Sequence, residues 1–304
     1  MYKKIELHNH SVESDGKMTV ENLVSYLAEY GIENFSLTDH NTISGIRKLQ
    51  NLKESGIIRD YIPGYELTSY YGHLLCQNVT QYIPWDDIDK NNGDKLLKRV
   101  HEAGGLAGIA HPFSVGAPIS NGMRWTMKIH DYSLIDFVEV INNAHPMQPD
   151  NRKAIAWWES LIFSGCRICA VSGMDLHRPC NMNEYFTTYI HVAEEDESLP
   201  LSSQLETAVQ NCSTWVTKGP IIESSFCRKV LTANIHMPGS KTADNYLLHV
   251  RTKQASLILP IKDRVTADLS PILSGGEFAV ILKLYQGAVS EENLAAIAPP
   301  IFLK

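Results

Sequence analysis

The chain of 304 residues has no run approaching the roughly 20 apolar residues that a membrane-spanning helix needs. It also lacks a positive excess: 27 Lys and Arg stand against 34 Asp and Glu, for a formal net charge of −7. Nonspecific grip on a nucleic-acid backbone depends on dense basic side chains, so stable nucleic-acid binding is not expected. A small phosphorylated ligand is not excluded, because bound cations invert the local charge. The first residues, Met1 to His8, contain no apolar stretch of the kind a secretory signal carries, which makes the reducing cytoplasm the expected location. Cysteine is sparse. Cys166 and Cys169 form a Cys-x-x-Cys, but no second Cys or Cys/His pair at similar spacing accompanies it, as a structural zinc would require. Cys169 sits in the apolar run Ile168-Cys169-Ala170-Val171, and both thiols read as core residues. Internal repeats and low-complexity segments are absent too.

What the chain does have is alternation. Strands are expected at Ile5 to Leu7, Phe35 to Thr38, before Glu66, at Leu106 to Ala110, Phe137 to Ile141, Arg167 to Val171 and Tyr185 to His191. Helices are expected between them: Val20 to Tyr30 with Thr19 as N-cap, Ile43 to Glu54, Gly93 to Glu102, Asn151 to Phe163, and a last one at Leu201 to Gln210. Gly31, Gly56, Gly104-Gly105 and Gly165 supply the stops. Some seven strand–helix units predict an α/β fold with a parallel sheet, and a closed (β/α) barrel is the natural form. From about Gly219 the pattern changes to short apolar runs divided by turns. Residues 1–220 are therefore expected to form the barrel, and 221–304 a small β-rich C-terminal domain.

Chemistry collects at the strand ends. Side chains alternate across a strand, so His8 and His10 share a face and can grip one ion together. The second strand ends in Thr38-Asp39-His40, the third at Glu66, the fourth at His111, and the sixth near Asp175-Leu176-His177. Asp15 lies in the turn Ser14-Asp15-Gly16, and His73 starts a short strand after Glu66. Of 12 histidines, five (His8, His10, His40, His111 and His177) fall at such ends, which chance placement over helices and loops would not produce. Imidazole and carboxylate together suit zinc, manganese or iron, and a Glu at a strand end can bridge two ions. The expected site holds two or three divalent ions. Such ions lower the pKa of bound water from ~15.7 towards ~7, which makes hydrolysis the expected chemistry.

Taken in order, His8-Asn9-His10, Ser14-Asp15-Gly16, Thr38-Asp39-His40-Asn41, Pro63-Gly64-Tyr65-Glu66, Ala110-His111-Pro112 and Asp175-Leu176-His177 resemble the motifs of the PHP (polymerase and histidinol phosphatase) superfamily over roughly residues 1–220. The resemblance implies a distorted seven-stranded (β/α) barrel with up to three metals. It assigns one ion to His8, His10, Glu66 and Asp175, another to Asp15, His40 and His177, and a third to Glu66, His73 and His111. Some members carry His where this chain has Asp15. Tyr71-Gly72-His73-Leu74-Leu75 is similar to a segment of the nucleotide phosphatase branch. Thr214 to Pro220 looks like the end of the catalytic domain in a two-domain branch that includes carbaryl hydrolases.

The expected activity is therefore a metal-dependent phosphoesterase acting on a small phosphorylated molecule. Hydrolysis of a carbamate, ester or amide, and a non-catalytic metal-binding scaffold, stand as alternatives. Arg178, directly after His177, is a candidate to hold phosphate, with Arg124, Lys128 and Arg152 behind it. His145, after the fifth strand, is a candidate to face the substrate. Glu139 is a candidate to support a ligand histidine. Asp39, on the other strand face from His40, reads as structural, as do His191, His236 and His249, whereas His101 and His130 read as helix or loop surface. Trp157-Trp158 reads as a helix packing pair.

Overall fold

The computed structural model describes residues 1–115, 123–142, 148–183, 185–238 and 245–303. Its first part runs β1 (Tyr2–Glu6), α1 (Val20–Glu29), β2 (Asn34–Phe35), α2 (Ser44–Glu54), β3 (Gly64–Ser69), β4 (Gly72–Gln77), α3 (Gly93–Glu102), β5 (Leu106–Ile109), β6 (Phe137–Asn142), α4 (Pro149–Phe163), β7 (Cys169–Gly173), β8 (Thr187–His191), α5 (Leu201–Gln210) and β9 (Thr214–Thr217). The remainder is strands: β10 (Ile221–Cys227), β11 (Val230–His236), β12 (Tyr246–Arg251), β13 (Ser256–Ile261), β14 (Arg264–Asp268), β15 (Ala279–Gln286), β16 (Leu294–Ile297) and β17 (Ile301–Phe302).

Local signals explain the helices. The Thr19 side chain accepts from the Asn22 N–H at 3.2 Å and caps α1. Val20, Leu23, Val24 and Leu27, at i, i+3, i+4 and i+7, form its buried stripe. Gly31 ends that segment in the left-handed region at φ 67°. Pro149 opens α4, where its fixed φ suits the first turn and its missing N–H costs nothing. The α4 face bearing Ile155, Trp158, Leu161 and Ile162 sinks into the core. Trp158 is fully buried, and its indole N–H donates to the Ile168 carbonyl at 2.8 Å.

The strands depart from an all-parallel sheet. One sheet has the order β3-β4-β5-β6-β7, antiparallel from β3 to β5 and parallel from β5 to β7. Only Tyr70 and Tyr71 separate β3 from β4, and so tight a turn can join antiparallel neighbours alone. A second sheet runs β13-β12-β15-β16-β9-β8-β1-β2, with β1 parallel to β2 but antiparallel to β8. No covering helix precedes β8, so it has no crossover to bring it in parallel. Among the described residues, pairing does not close into one continuous barrel. The two arcs touch through single bridges at Ser36–Ile62, His40–Glu66 and Asn9–Leu176. Two of these three junctions fall at strand ends rich in His, Glu and Asp.

The β-rich remainder is not hung on by a linker. β16 pairs with β9, so one sheet runs through both parts of the chain. Ala279, Ile281, Tyr285, Leu294 and Ile297 share a core cluster with Trp158 and Ile162 of α4. A separate cluster, including Ile221, Leu231, Leu248 and Leu282, fills the space between that sheet and the three-stranded β10-β11-β14. Among the described residues, no helix is long and apolar enough to cross a membrane.

Candidate metal centre

The chain continues from β1 through Leu7 to His10 between two neighbours. On one side Thr38 N–H donates to the Asn9 carbonyl at 2.8 Å; on the other, His10 N–H donates to the Leu176 carbonyl at 3.0 Å. The Asn9 side chain is consumed in holding this edge, donating to the Ser36 carbonyl at 2.9 Å. The alternation then turns His8 and His10 the opposite way, together. Both are fully buried.

Glu66 is the hub. Its carboxylate lies 3.2 Å from His8 Nε2, 3.4 Å from His10 Nε2, 2.9 Å from His40 Nδ1, 2.8 Å from His73 Nδ1 and 3.2 Å from His111 Nε2. Asp175 Oδ1 stands 3.4 Å from His8 Nε2 and 3.1 Å from His10 Nε2. Asp15 Oδ1 stands 3.2 Å from His177 Nε2 and 3.7 Å from His40 Nε2. Three groups of donors each lie within 4.8 Å of one another: His8, His10, Glu66 and Asp175; His10, Asp15, His40 and His177; and His40, Glu66 and His73. All nine histidines and carboxylates expected from the sequence thus meet in one place. The grouping differs in detail, since His10 and His40 each belong to two groups and His111 meets Glu66 without joining a group of three.

The surroundings fix which nitrogen each ring offers. His8 Nδ1 is 3.0 Å from Glu139 Oε1, so its proton sits there and Nε2 turns inward. His111 Nδ1 is 3.2 Å from the Met123 carbonyl and His177 Nδ1 is 2.9 Å from the Asp175 carbonyl. A carbonyl can only accept, so each ring donates there from Nδ1 and turns Nε2 to the cluster, where His111 Nε2 lies 3.2 Å from Glu66 Oε1. The other Glu139 oxygen accepts from His111 N–H at 2.8 Å and from the Asn142 amide at 3.3 Å. Glu139 therefore braces two histidines at once. Gly173 makes room for it: a Cβ there would come within 2.2 Å of Glu139 Oε1. Asp39 is structural, accepting from Ser11 N–H, Ser11 Oγ and Ser14 Oγ at 2.7 Å each and so bracing the loop that carries Asp15. Two of the cluster residues are also strained, with His111 at φ 26° and Asp175 at φ 50°, a region that side chains other than Gly rarely adopt.

Electrostatics show what the cluster lacks on its own. Burial pushes the His8 ring towards neutrality, but Glu139, Asp175 and Glu66 outweigh it and hold the imidazolium well above the usual histidine range. His111 follows the same balance, with burial opposed by the hydrogen-bonded Glu66, and rises to about 9. Burial opposes ionisation of Glu66 as well, yet His8, His73 and His111 hold its carboxyl well below the usual range. Positive charge is being drawn into the site. The converging atoms are nevertheless not all bonded: His73 Nδ1 and His111 Nε2 reach Glu66 Oε1, but His8 Nε2, His10 Nε2 and Glu66 Oε2 are buried with no hydrogen-bond partner. Orphaned, inward-facing lone pairs of imidazole and carboxylate are the donor set that divalent cations take, so the residues fit the metals expected.

The candidates for substrate contact divide. Arg178 is exposed beside His177 and has no carboxylate partner among the described residues. Arg152 is engaged with Glu291 at 2.5 Å. Arg124 is exposed, and Lys128 lines a recess next to the cluster. His145 lies outside the described residues. His101 pairs with Asp136 at 2.7 Å, while His191 and His236 pack on the Tyr2 ring, as structural residues do. The expected packing pair Trp157-Trp158 divides: Trp158 is buried in the core, while Trp157 is half-buried and lines that recess.

The fold matches that of a two-domain protein from Bacteroides vulgatus containing a predicted PHP-like metal-dependent phosphoesterase, with a TM-score of 0.57 and 15% identity, over 99% of this chain and 95% of that one. The chain therefore shares the overall fold of that protein. An uncharacterized protein of Methanocaldococcus jannaschii is 29% identical over 154 residues, which is 47% of this chain and 83% of that protein. The 5'-3' exoribonuclease Rnm of Salmonella typhimurium is 33% identical over 79 residues, 24% of this chain and 27% of that enzyme. No protein-family model matches the chain. The clustered donors by themselves support a site for divalent cations.

Proposed function

We propose that this protein is a cytoplasmic phosphoesterase that hydrolyses a small phosphorylated substrate at a centre of two or three divalent ions, zinc, manganese or iron. The observation that carries the reading is the convergence of five histidines on the buried Glu66 carboxylate, with Asp175 and Asp15 closing the two sides. In this reading His8, His10, Glu66 and Asp175 hold one ion, Asp15, His40 and His177 another, and Glu66, His73 and His111 a third. The ions, when bound, supply an activated water and neutralise the charge on the phosphate oxygens. The chain's own groups do the rest. Glu139 keeps His8 and His111 in the ligating orientation, and the Asp39-braced loop keeps Asp15 in reach. Arg178, exposed beside His177 and without a carboxylate partner among the described residues, holds a phosphate oxygen and favours phosphate over a neutral carbamate or ester. The name of the Salmonella relative, a nuclease, is that of an enzyme that breaks phosphate esters. We take the two hydrogen-bonded arcs, bridged at the cluster, as the distorted seven-stranded barrel, with residues 1–220 as its body and 221–304 as a buttressing domain.

The test is phosphate release from a panel of nucleotides, sugar phosphates and amino-alcohol phosphates by protein loaded with each metal. Release that depends on metal and disappears in both His8→Ala and Asp175→Ala is the expected result. A protein that demonstrably holds its metals and releases no phosphate would sink the phosphoester reading and turn attention to carbamates and esters.

A further inference from the structure

A recess of about 540 Å³ lies beside the centre, between the segment after His111, the stretch 125–132 and the middle of α4 at Trp157. Its walls are Pro112, Phe113, Trp125, Tyr132 and Trp157, with Lys128 at its rim. That volume lies within the roughly 300–1,000 Å³ typical of small-molecule sites. Three of these aromatic rings, Phe113, Trp125 and Trp157, are half-buried. Phe113 and Trp157 meet edge to face at a centroid distance of 6.0 Å, which leaves the faces of a corner available.

The walls of the recess are tied to the centre through the backbone. Pro112 directly follows His111, and Trp125 N–H donates to the Pro112 carbonyl at 3.1 Å. Trp125 also rests on the backbone of Gly72, the neighbour of His73: a Cβ on Gly72 would come within 2.9 Å of the Trp125 backbone. The Met123 carbonyl that orients His111 begins the same stretch. Thr126 then ties that stretch to the Tyr71 carbonyl through its N–H at 2.7 Å and its hydroxyl at 3.0 Å. Both His73 and His111 are thus one residue away from a wall of the recess.

We propose that this recess is the leaving-group subsite, and that it selects a flat aromatic group joined to the scissile phosphate. Trp157 and Trp125 supply faces for stacking, Phe113 an edge, and Lys128 a cation at the mouth. An aliphatic polyol would gain nothing from such walls, since it would give up water hydrogen bonds against apolar surface. The inference rests on the phosphoester reading for the direction of the substrate, but the subsite itself does not.

The experiment compares phenylphosphonate and methylphosphonate, which share the anionic head and are not hydrolysed, by calorimetric titration into the metal-loaded protein. The wild-type chain is expected to bind the phenyl compound at least tenfold more tightly. Trp157→Ala and Phe113→Ala should each erase most of that preference and leave methylphosphonate affinity unchanged, while Trp157→Phe keeps it. A second arm titrates 4-nitrophenol into the metal-free protein and follows quenching of indole fluorescence. If neither phosphonate binds but 4-nitrophenol still quenches in wild type and not in Trp157→Ala, the subsite stands and the phosphoester reading falls. A wild-type protein with no phenyl preference and no quenching overturns the subsite, as does a preference that survives both alanine variants.

Discussion

Glu139→Gln changes almost no volume yet leaves one carboxamide oxygen where two are needed. In the folded protein Oε1 accepts from His8 Nδ1 at 3.0 Å, and Oε2 accepts from His111 N–H at 2.8 Å. The amide can satisfy one of these donors and must turn its own N–H bonds towards the other. If the amide nitrogen faces His111, a fully buried N–H is left unpaired against a donor, at about 1–3 kcal/mol. If it faces His8, the ring must shift its proton to Nε2, the atom that points at the metal, and one ligand is lost until it shifts back. Removal of partners that orient ligating histidines lowers metal affinity about 10–100-fold, or ~1.4–2.7 kcal/mol. The variant should therefore be less stable to urea without metal, or bind metal more weakly, or both, and the two costs together should fall in that range. Chelator competition with zinc or manganese measures the second, and urea unfolding of metal-free protein the first. A variant indistinguishable from wild type in both would show that the contacts of Glu139 with His8 and His111 do not shape the centre.

Other predictions follow from the same geometry. A ligating imidazole must be neutral, and His111 in the metal-free protein stays protonated up to about 9, so metal binding at neutral pH should release protons. The sign is consistent: the His111–Glu66 attraction stabilises the metal-free fold fully below the ordinary histidine pKa and is lost as pH rises through about 9, while metal affinity grows over the same window. Calorimetry in buffers of different ionisation enthalpy reads the proton count, and buffer-independent heats would contradict it. Trp158→Ala should cost about 3–5 kcal/mol in unfolding experiments, whereas Trp157→Ala, at a half-buried position, should cost clearly less; equal losses would refute their division between core and recess. Glu159 of α4 holds Lys283 of β15 at 2.6 Å and Arg251 of β12, joining the two parts of the chain. Glu159→Gln strands the buried Lys283 ammonium and should destabilise by about 3–5 kcal/mol, with earlier loss of the 221–304 part in limited proteolysis; an unchanged proteolysis pattern would mean the sheet pairing alone holds the parts together.

Much of the centre was legible in one dimension because its encoding is local. His8 and His10 are two apart on an extended segment, and strand geometry alone puts them on one face. Thr19 caps a helix because its own hydroxyl reaches Asn22 N–H, three residues on. What pairs with what is a different matter. The hydrophobic period of Tyr185 to His191 marks a strand, but its antiparallel seat between β1 and β9 depends on pairings far along the chain, such as Tyr2 with His191. The insertion of β4 between β3 and β5, and the single sheet that carries β16 onto β9, are decided the same way.

Glu139 shows the limit most clearly. Its place in a buried strand could be read, and a supporting role guessed, but its two partners come from strands 131 and 28 residues away. Trp157 and Trp158 were indistinguishable as neighbours in one apolar pair until the helix packed and sent one into the core and the other to the recess. The sequence by itself determined the donors, their faces and the ends of the helices, since each is settled within a few residues. Only the tertiary structure decided how the donors group around Glu66, which residues brace them and what lies beside them, because those depend on segments that meet only when the chain has folded.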